Sequence, residues 1–225
     1  MDELLAAIVA DDRAKVREML GRDPGLSTQL IDRPILFDSG ILHWIYVGDT
    51  ALHLAAAGHR VEIVGLLLAA GADPNSIRNH RNSGPLHYAA DGCPGNAIWD
   101  PGRQVETIGR LLNASANIDA QDKNGASPLH RAVRTRCADA VHCLLGAGAD
   151  PTLPNKNRST PFHLAVQDTG RGGSGAEEAR AGQRRIIQEF LSIGVSTSLK
   201  DGKGKSVLDC ARSEWIREML ADQAA

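Results

Sequence analysis

One short phrase recurs along the chain and dictates most of what it can become. TALHLAA begins at Thr50, GPLHYAA at Gly84, SPLHRAV at Ser127 and TPFHLAV at Thr160, with a degenerate fifth copy, SVLDCAR, at Ser206. A second phrase follows each of the first four: LLLAAGADPN, LLNASANIDA, LLGAGADPT and FLSIGVSTS. The histidines His53, His87, His130 and His163 lie 34, 43 and 33 residues apart. A fixed period interrupted by longer intervals means one structural unit repeated, with loops inserted. Such units bury their apolar faces against each other rather than in one central core.

Local chemistry gives each unit its form. Ser127 and Thr160 suit a helix N-cap, and the proline after each falls at the first helical position, where a missing N–H costs nothing. A short Ala-rich helix follows, then a second, amphipathic helix expected over Arg60–Ala70, with Val61, Ile63, Val64, Leu67 and Leu68 apolar. Gly71 is placed to end that helix. The Asp-Pro-Asn and Asp-Lys-Asn-Gly stretches beyond it have turn chemistry and lead into the next unit.

These phrases, with Ser127-Pro128-Leu129-His130 and Gly71-Ala72-Asp73 nearly as the family writes them, closely resemble the ankyrin repeat. The resemblance implies an all-α solenoid of stacked helix-turn-helix units with β-hairpin or loop fingers. It runs over a single domain, 1–225. An N-terminal cap spans 1–33, a unit with an enlarged finger 34–80, and a unit with an insertion at 92–103 occupies 81–123. A regular unit covers 124–156, a unit with an insertion at 169–182 covers 157–202, and a C-terminal cap covers 203–225. It also implies that each repeated histidine ties its hairpin to the next, helped by the Ser or Thr three residues earlier.

Composition narrows the function classes. A net charge of -2 offers no bulk attraction to nucleic acid or to an anionic membrane. Cys93, Cys137, Cys143 and Cys210 form no CxxC pair, so reduced thiols in a cytoplasm are expected. No run approaches a spanning helix, and acidic residues flank the apolar start where a signal peptide needs basic ones. The Ala, Gly and Arg usage fits a GC-rich bacterial source, for which secretion as an effector is the alternative location.

Three departures from the repeat carry the remaining information. At Leu30–Gly48 two apolar runs flank Asp38-Ser39-Gly40, a hairpin signal that makes an enlarged finger with Ile41, Trp44 and Tyr46. It either covers the edge of the first cap or serves as an aromatic anchor for a partner. Gly92–Arg103 holds Ile98-Trp99, which either docks on the scaffold or meets a ligand. Thr169–Gly182 has the glycine and charge content of a mobile tether with a short helical tail. The resemblance puts both insertions on one edge of the stack.

No catalytic or cofactor chemistry is expected. One histidine per unit, at a helix spacing of about 8–10 Å, makes a row and not a metal cluster. Gly202–Ser206 (GKGKS) would need glycine at Leu199 to be a phosphate loop. Gly172–Ala176 fails the nucleophile-elbow pattern at Ala176. Cys137 and His142 are neighbours in sequence with nothing to activate them.

The expectation is therefore a non-catalytic protein-interaction module of adaptor or inhibitor type, acting as a monomer without nucleic acid or membrane. The alternatives are an enzyme or accessory subunit built on the insertions, or a purely structural subunit. Mapped through the resemblance, a partner would meet the hairpin tips at His80, Arg81 and Ser83, at Lys123, Asn124 and Ala126, at Lys156, Asn157 and Ser159, and at Lys203 and Lys205. It would also meet the first helices at Ala57, Asp91, Arg134, Thr135, Gln167 and Asp168, besides Trp44, Tyr46 and Trp99. Every central tip carries Lys or Arg, so a near-neutral chain presents a basic row suited to an acidic partner surface.

Overall fold

The computed structural model describes residues 1–37, 40–41, 43–168 and 177–221. Twelve helices form among them, and they pair in sequence. The pairs are α1 (Asp2–Val9) with α2 (Arg13–Arg22), α3 (Ala51–Ala57) with α4 (Val61–Ala69), and α5 (Pro85–Ala90) with α6 (Pro101–Asn113). Then come α7 (Pro128–Arg134) with α8 (Ala138–Gly146), α9 (Pro161–Ala165) with α10 (Glu177–Ser192), and α11 (Val207–Cys210) with α12 (Glu214–Ala221). The first helices of successive pairs pack on one another from α1 to α11, and the second helices do so from α2 to α10. Two layers of helices thus make a solenoid, as the repeated phrase requires.

The first helices are short and Ala-rich, so the layers approach closely: Ala51, Ala55, Ala56, Ala89, Ala90, Ala132 and Ala165 are fully buried. Larger side chains come from both layers, Leu4, Ile8, Leu52, Leu54, Tyr88 and Phe162 from the first helices and Ile63, Leu67, Ile108, Leu111 and Phe190 from the second. Phe162 of α9 stacks on Phe190 of α10 with ring centroids 5.0 Å apart. The helix expected over Arg60–Ala70 is one residue shorter at each end, with Arg60 and Ala70 as its caps. Gly71 follows at φ +92, a left-handed turn that glycine enters without a Cβ penalty.

Between the first two pairs lies a two-stranded antiparallel ribbon, β1 (Ile35–Phe37) with β2 (His43–Ile45). Asp38 and Ser39 of the expected turn lie outside the described residues; Gly40 follows at φ +76. Of the insertion expected at 169–182, residues 169–176 also lie outside them, and the remaining six begin α10. Likewise Pro101, Gly102 and Arg103, the end of the other insertion, form the first turn of α6, capped by the Asp100 carboxylate.

Candidate functional site

The repeated histidines set the tips. His53 Nδ1 accepts the Thr50 N–H at 3.1 Å, so its Nε2 carries the proton toward the Ser76 and Ser83 carbonyls at 3.2 and 3.1 Å. His87 reaches the Ala126 carbonyl at 3.0 Å, His130 that of Ser159 at 3.1 Å, and His163 that of Lys205 at 3.3 Å. Both nitrogens of each ring are occupied, which accounts for the row without a metal. Burial holds His53, His87 and His130 below the usual imidazole range, His87 at about 4. Each tip then bonds the next through its backbone. The Lys123 N–H donates to Arg81 at 2.7 Å, Lys156 to Asn124 at 3.0 Å, and Gly202 to Asn157 at 2.8 Å.

The N-terminal end of this surface is covered. The ribbon bends over α3, and Ile41 and Ile45 are buried beneath it. Arg60 fastens the bend by donating to the carbonyls of Ile8, Val9 and Gly40 at 3.3, 2.8 and 3.0 Å. His43 lies against Tyr88, ring centroids 4.9 Å apart, with its Nε2 3.6 Å from Asp91. The insertion Gly92–Arg103 closes the same end. The Trp99 indole N–H donates to the Gln104 side-chain carbonyl at 3.2 Å, and Gln104 in turn donates to Ala89 and Ala90. Ribbon and insertion line a small cleft of about 70 Å³, between Ile41, His43, His59, Cys93, Ile98 and Trp99. Trp99 is thus docked on the scaffold, whereas Trp44 stays 47% exposed beside the equally exposed Leu36 across the ribbon.

Arg131 separates the covered end from the open one. This buried guanidinium donates to Asp91 at 2.8 Å, Asp122 at 2.9 Å and Ser83 Oγ at 3.0 Å. Burial alone would lift the Asp91 carboxyl, but the His43 contact and the charges of Arg131 and Arg134 hold it at about 2. Asp91 is therefore engaged within the molecule. So is Arg81, which donates to the Tyr46 hydroxyl at 2.7 Å with its guanidinium over the same ring, while His80 meets that ring edge-on. Ser83, counted among the tip residues, is buried under the His53 and Asn79 bonds.

Beyond Arg131 the surface is open. Ala57, Asp91, Arg134 and Gln167 hold the same place, four residues after the helix histidine. Ala57 is 6% exposed and the Asp91 side chain 12%, but that of Arg134 is 57% and Gln167 is exposed. Asp168 accepts the Ser213 hydroxyl. A cavity of about 490 Å³ opens between the end of α9, the tip at Asp201–Lys205 and α11, lined by Gln167, Asp168, Lys203, Lys205 and Arg212.

Charge pairing differs in degree between tips and second helices: Arg17, Arg184 and Arg217 of the second helices have no carboxylate within 4.0 Å among the described residues, but most cations there do. Lys15, Arg110, Arg180 and Arg185 of the second helices pair with Glu3, Glu62, Glu177 and Asp139. Lys123, Lys156, Arg158, Lys203 and Lys205 are exposed, with no carboxylate within 4.0 Å among the described residues. Asn124 and Asn157 stand exposed beside the first two. The Cys137 thiol offers no nucleophile, since burial pushes it up to about 11, and His142 pairs with Glu189 at 2.9 Å.

Comparison with known proteins gives this arrangement its family. The family model described as "Ankyrin repeat" matches residues 47–80, and that described as "Ankyrin repeats (3 copies)" matches residues 95–172. The chain is an ankyrin-repeat protein. NF-kappa-B inhibitor delta of Mus musculus is 38% identical over 89 residues, 38% of this chain and 24% of the relative. Ankyrin repeat and SOCS box protein 6 of Mus musculus is 32% identical over 93 residues, covering 41% and 20%. Alpha-latrotoxin-Lhe1a of Latrodectus hesperus is 39% identical over 88 residues, covering 39% and 6%. The matched stretch thus spans a quarter or less of each of these relatives. Ankyrin repeats are in general non-catalytic protein-interaction modules, although some relatives are multidomain enzymes that carry an ankyrin region. Among the described residues no helix is long and apolar enough to cross a membrane.

Four residues that organise this surface escaped the sequence reading. Arg131 was visible as a charge inside the otherwise apolar SPLHRAV. Asp49, fully buried, accepts from the Tyr88 hydroxyl at 2.8 Å and from Asn79; its position just before the phrase at Thr50 was the available signal. Gln104 and Gln183, each the first residue after an insertion and inside a second helix, both donate to carbonyls at the end of the preceding first helix or just past it. Their matching place in two inserted units could have marked them.

Proposed function

We propose that this ankyrin-repeat chain is a non-catalytic adaptor or inhibitor, acting as a monomer, that takes an acidic protein partner along its open end. The contacts run over Lys123, Asn124, Lys156 and Asn157 at the tips, over Arg134 at the end of α7 and over Gln167 just beyond α9. Trp44 on the ribbon supplies an apolar anchor at the far end. The observation that carries this reading is that Lys123, Lys156, Arg158, Lys203 and Lys205 at the tips all lack a carboxylate within 4.0 Å among the described residues, whereas most second-helix cations have one. A row of cations with no carboxylate beside it among the described residues is complementary to carboxylates on another chain, which speeds encounter and fixes register. One relative, by its printed name, is an inhibitor of another protein.

Affinity capture from a lysate, with the intact chain and with Lys123, Asn124, Lys156 and Asn157 all changed to Glu, tests the reading. The proteins captured by the first and lost by the second should be acidic, and both chains should melt at the same temperature. Undiminished capture by the changed chain would sink the basic-rim reading.

A further inference from the structure

We propose that the partner presents an extended segment in polyproline II conformation with a carboxylate at every third residue, laid across the tips so that successive acids face Lys123, Lys156 and Lys203. The inference rests on the functional reading above and narrows it to a geometry. Lys123 and Lys156 hold the same place in successive tips, each seven residues ahead of its helix histidine, His130 or His163. Lys203 stands one place further along in the next tip. The backbone bonds from Lys156 to Asn124 and from Gly202 to Asn157 join these tips directly, although different lengths of chain separate them. The cations therefore repeat with the stack and not with the sequence.

Packed helices stand about 8–10 Å apart, so the partner's acids must recur at about that interval. In a β-strand, at about 3.3 Å per residue, the third residue arrives at the right distance but on the opposite face, because strand side chains alternate. Two residues, on one face, cover only about 7 Å. A polyproline II helix has three residues per turn and rises about 3.1 Å per residue, so every third side chain returns to the same face after about 9 Å. It matches the tips in distance and in direction. Its backbone makes no internal hydrogen bonds, which leaves its amides and carbonyls free for Asn124, Asn157 and the Gln167 side chain.

Carboxylates separated by neutral residues also suit the floor better than a polyphosphate would. The cavity beyond Lys156 sets Asp168, Asp201 and Asp209 among Lys203, Lys205 and Arg212. The unbroken charge of a nucleic-acid strand would lie against those acids, whereas a segment with neutral positions between its carboxylates avoids them. The tips at 123–126, 156–159 and 202–205 carry no aromatic side chain on which bases could stack.

Fluorescence anisotropy with the full chain and three labelled peptides of four glutamates each tests the period. One peptide has Glu at every third position of a proline-rich sequence, one at every second, and one at every seventh position of an alanine-rich helix, which recurs at about 10 Å. The period-three peptide should bind roughly tenfold or more tightly than either other, and K123E with K156E should weaken it by a similar factor at unchanged melting temperature. A period-three peptide with Lys in place of Glu should in turn prefer the reversed chain. Equal affinity for all three peptides, preference for the helical one, or tighter binding of an oligothymidylate of equal charge overturns the proposal. Where the charge reversal abolishes lysate capture but the peptides are not distinguished, the period alone fails. Where neither responds, the functional reading fails with it.

Discussion

The two ends of this solenoid are built from the same repeat, yet they present opposite surfaces. At the N-terminal end, Ile41 lies beside Ala57 and Gly58, Ile45 is buried, and the insertion carrying Trp99 leaves only a small cleft beside Asp91. At the C-terminal end the equivalent places, Arg134 and Gln167, face solvent, and the tips carry unpaired lysines. The repeat itself does not decide what is a binding surface. What decides is whether the chain between repeats has apolar side chains that gain by folding back. The segment 34–48 has them; the tips at 123–126 and 156–159 do not.

Acid should separate the two ends most strongly. Burial holds His59 and His87 at about 4 in the folded chain, against about 6.5 when unfolded. Between those values the unfolded state binds more protons, so stability is complete above about pH 6.5 and falls as pH drops toward 4. The limit is about 1.4 kcal/mol per pH unit per histidine, or on the order of 5 kcal/mol for the two at pH 4. Hydrogen exchange at pH 7, 5.5 and 4 should show α3 and α5 losing protection before α9; uniform loss along the stack would erase the distinction.

The ribbon's cover can be removed more locally. Ile45→Ala should cost about 2–5 kcal/mol in urea unfolding, because it empties a fully buried site. Gln167→Ala at the open end should change stability by less than about 0.5 kcal/mol. Comparable costs would mean that the open end is packed after all.

The two insertions invite a smaller comparison. Gln183→Leu strips the Ala165 and Gln167 carbonyls of a donor and should cost about 1–3 kcal/mol. Gln104→Leu removes the same kind of cap and also the Trp99 bond, so its cost should be the larger of the two in the same denaturant series. An equal cost would show that the docked Trp99 contributes nothing through its N–H.

The smallest effect on stability belongs to the tips. Lys123→Ala combined with Lys156→Ala should move the unfolding free energy by no more than about 0.5 kcal/mol, since neither ammonium has a carboxylate partner among the described residues. The same pair should sharply reduce partner capture, and a variant that melts early would instead mark these lysines as part of the scaffold.

The helix pairs and their N-caps were legible in the repeated phrase, because each depends on residues three or four apart in one unit, whereas the histidine bonds to carbonyls of the following tip, such as His87 to Ala126, were readable only through the family resemblance. Ser127 and His130 form their capping box within four residues, and the phrase contains both. The covered end was not legible in the same way. That Ile45 lies on α3, or that Arg60 reaches Gly40 across 20 residues, follows from how a non-repeating segment finds its place, and no period encodes that. Asp91 and Arg81 were assigned to a partner on register alone. The structure shows each already engaged, with Arg131 and Arg134 in one case and Tyr46 in the other. The basic row at Lys123 and Lys156 was already readable by register, but that these lysines have no carboxylate beside them among the described residues was not, because pairing between units is a matter of three-dimensional contact.

The three bonds of Arg60 have a mechanical consequence. They bind the first helix pair, the ribbon and the second pair into one braced block, while α11 spans four residues and, among the described residues, packs on α9 as its one first-helix neighbour. In a stack where each unit leans only on the next, resistance to force is set by the weakest junction. A chain drawn apart from its two ends would peel from α12 inward, one helix pair at a time, and the braced block would be the last to give way. A partner held on the open tips would therefore ride on the part of the spring that yields first.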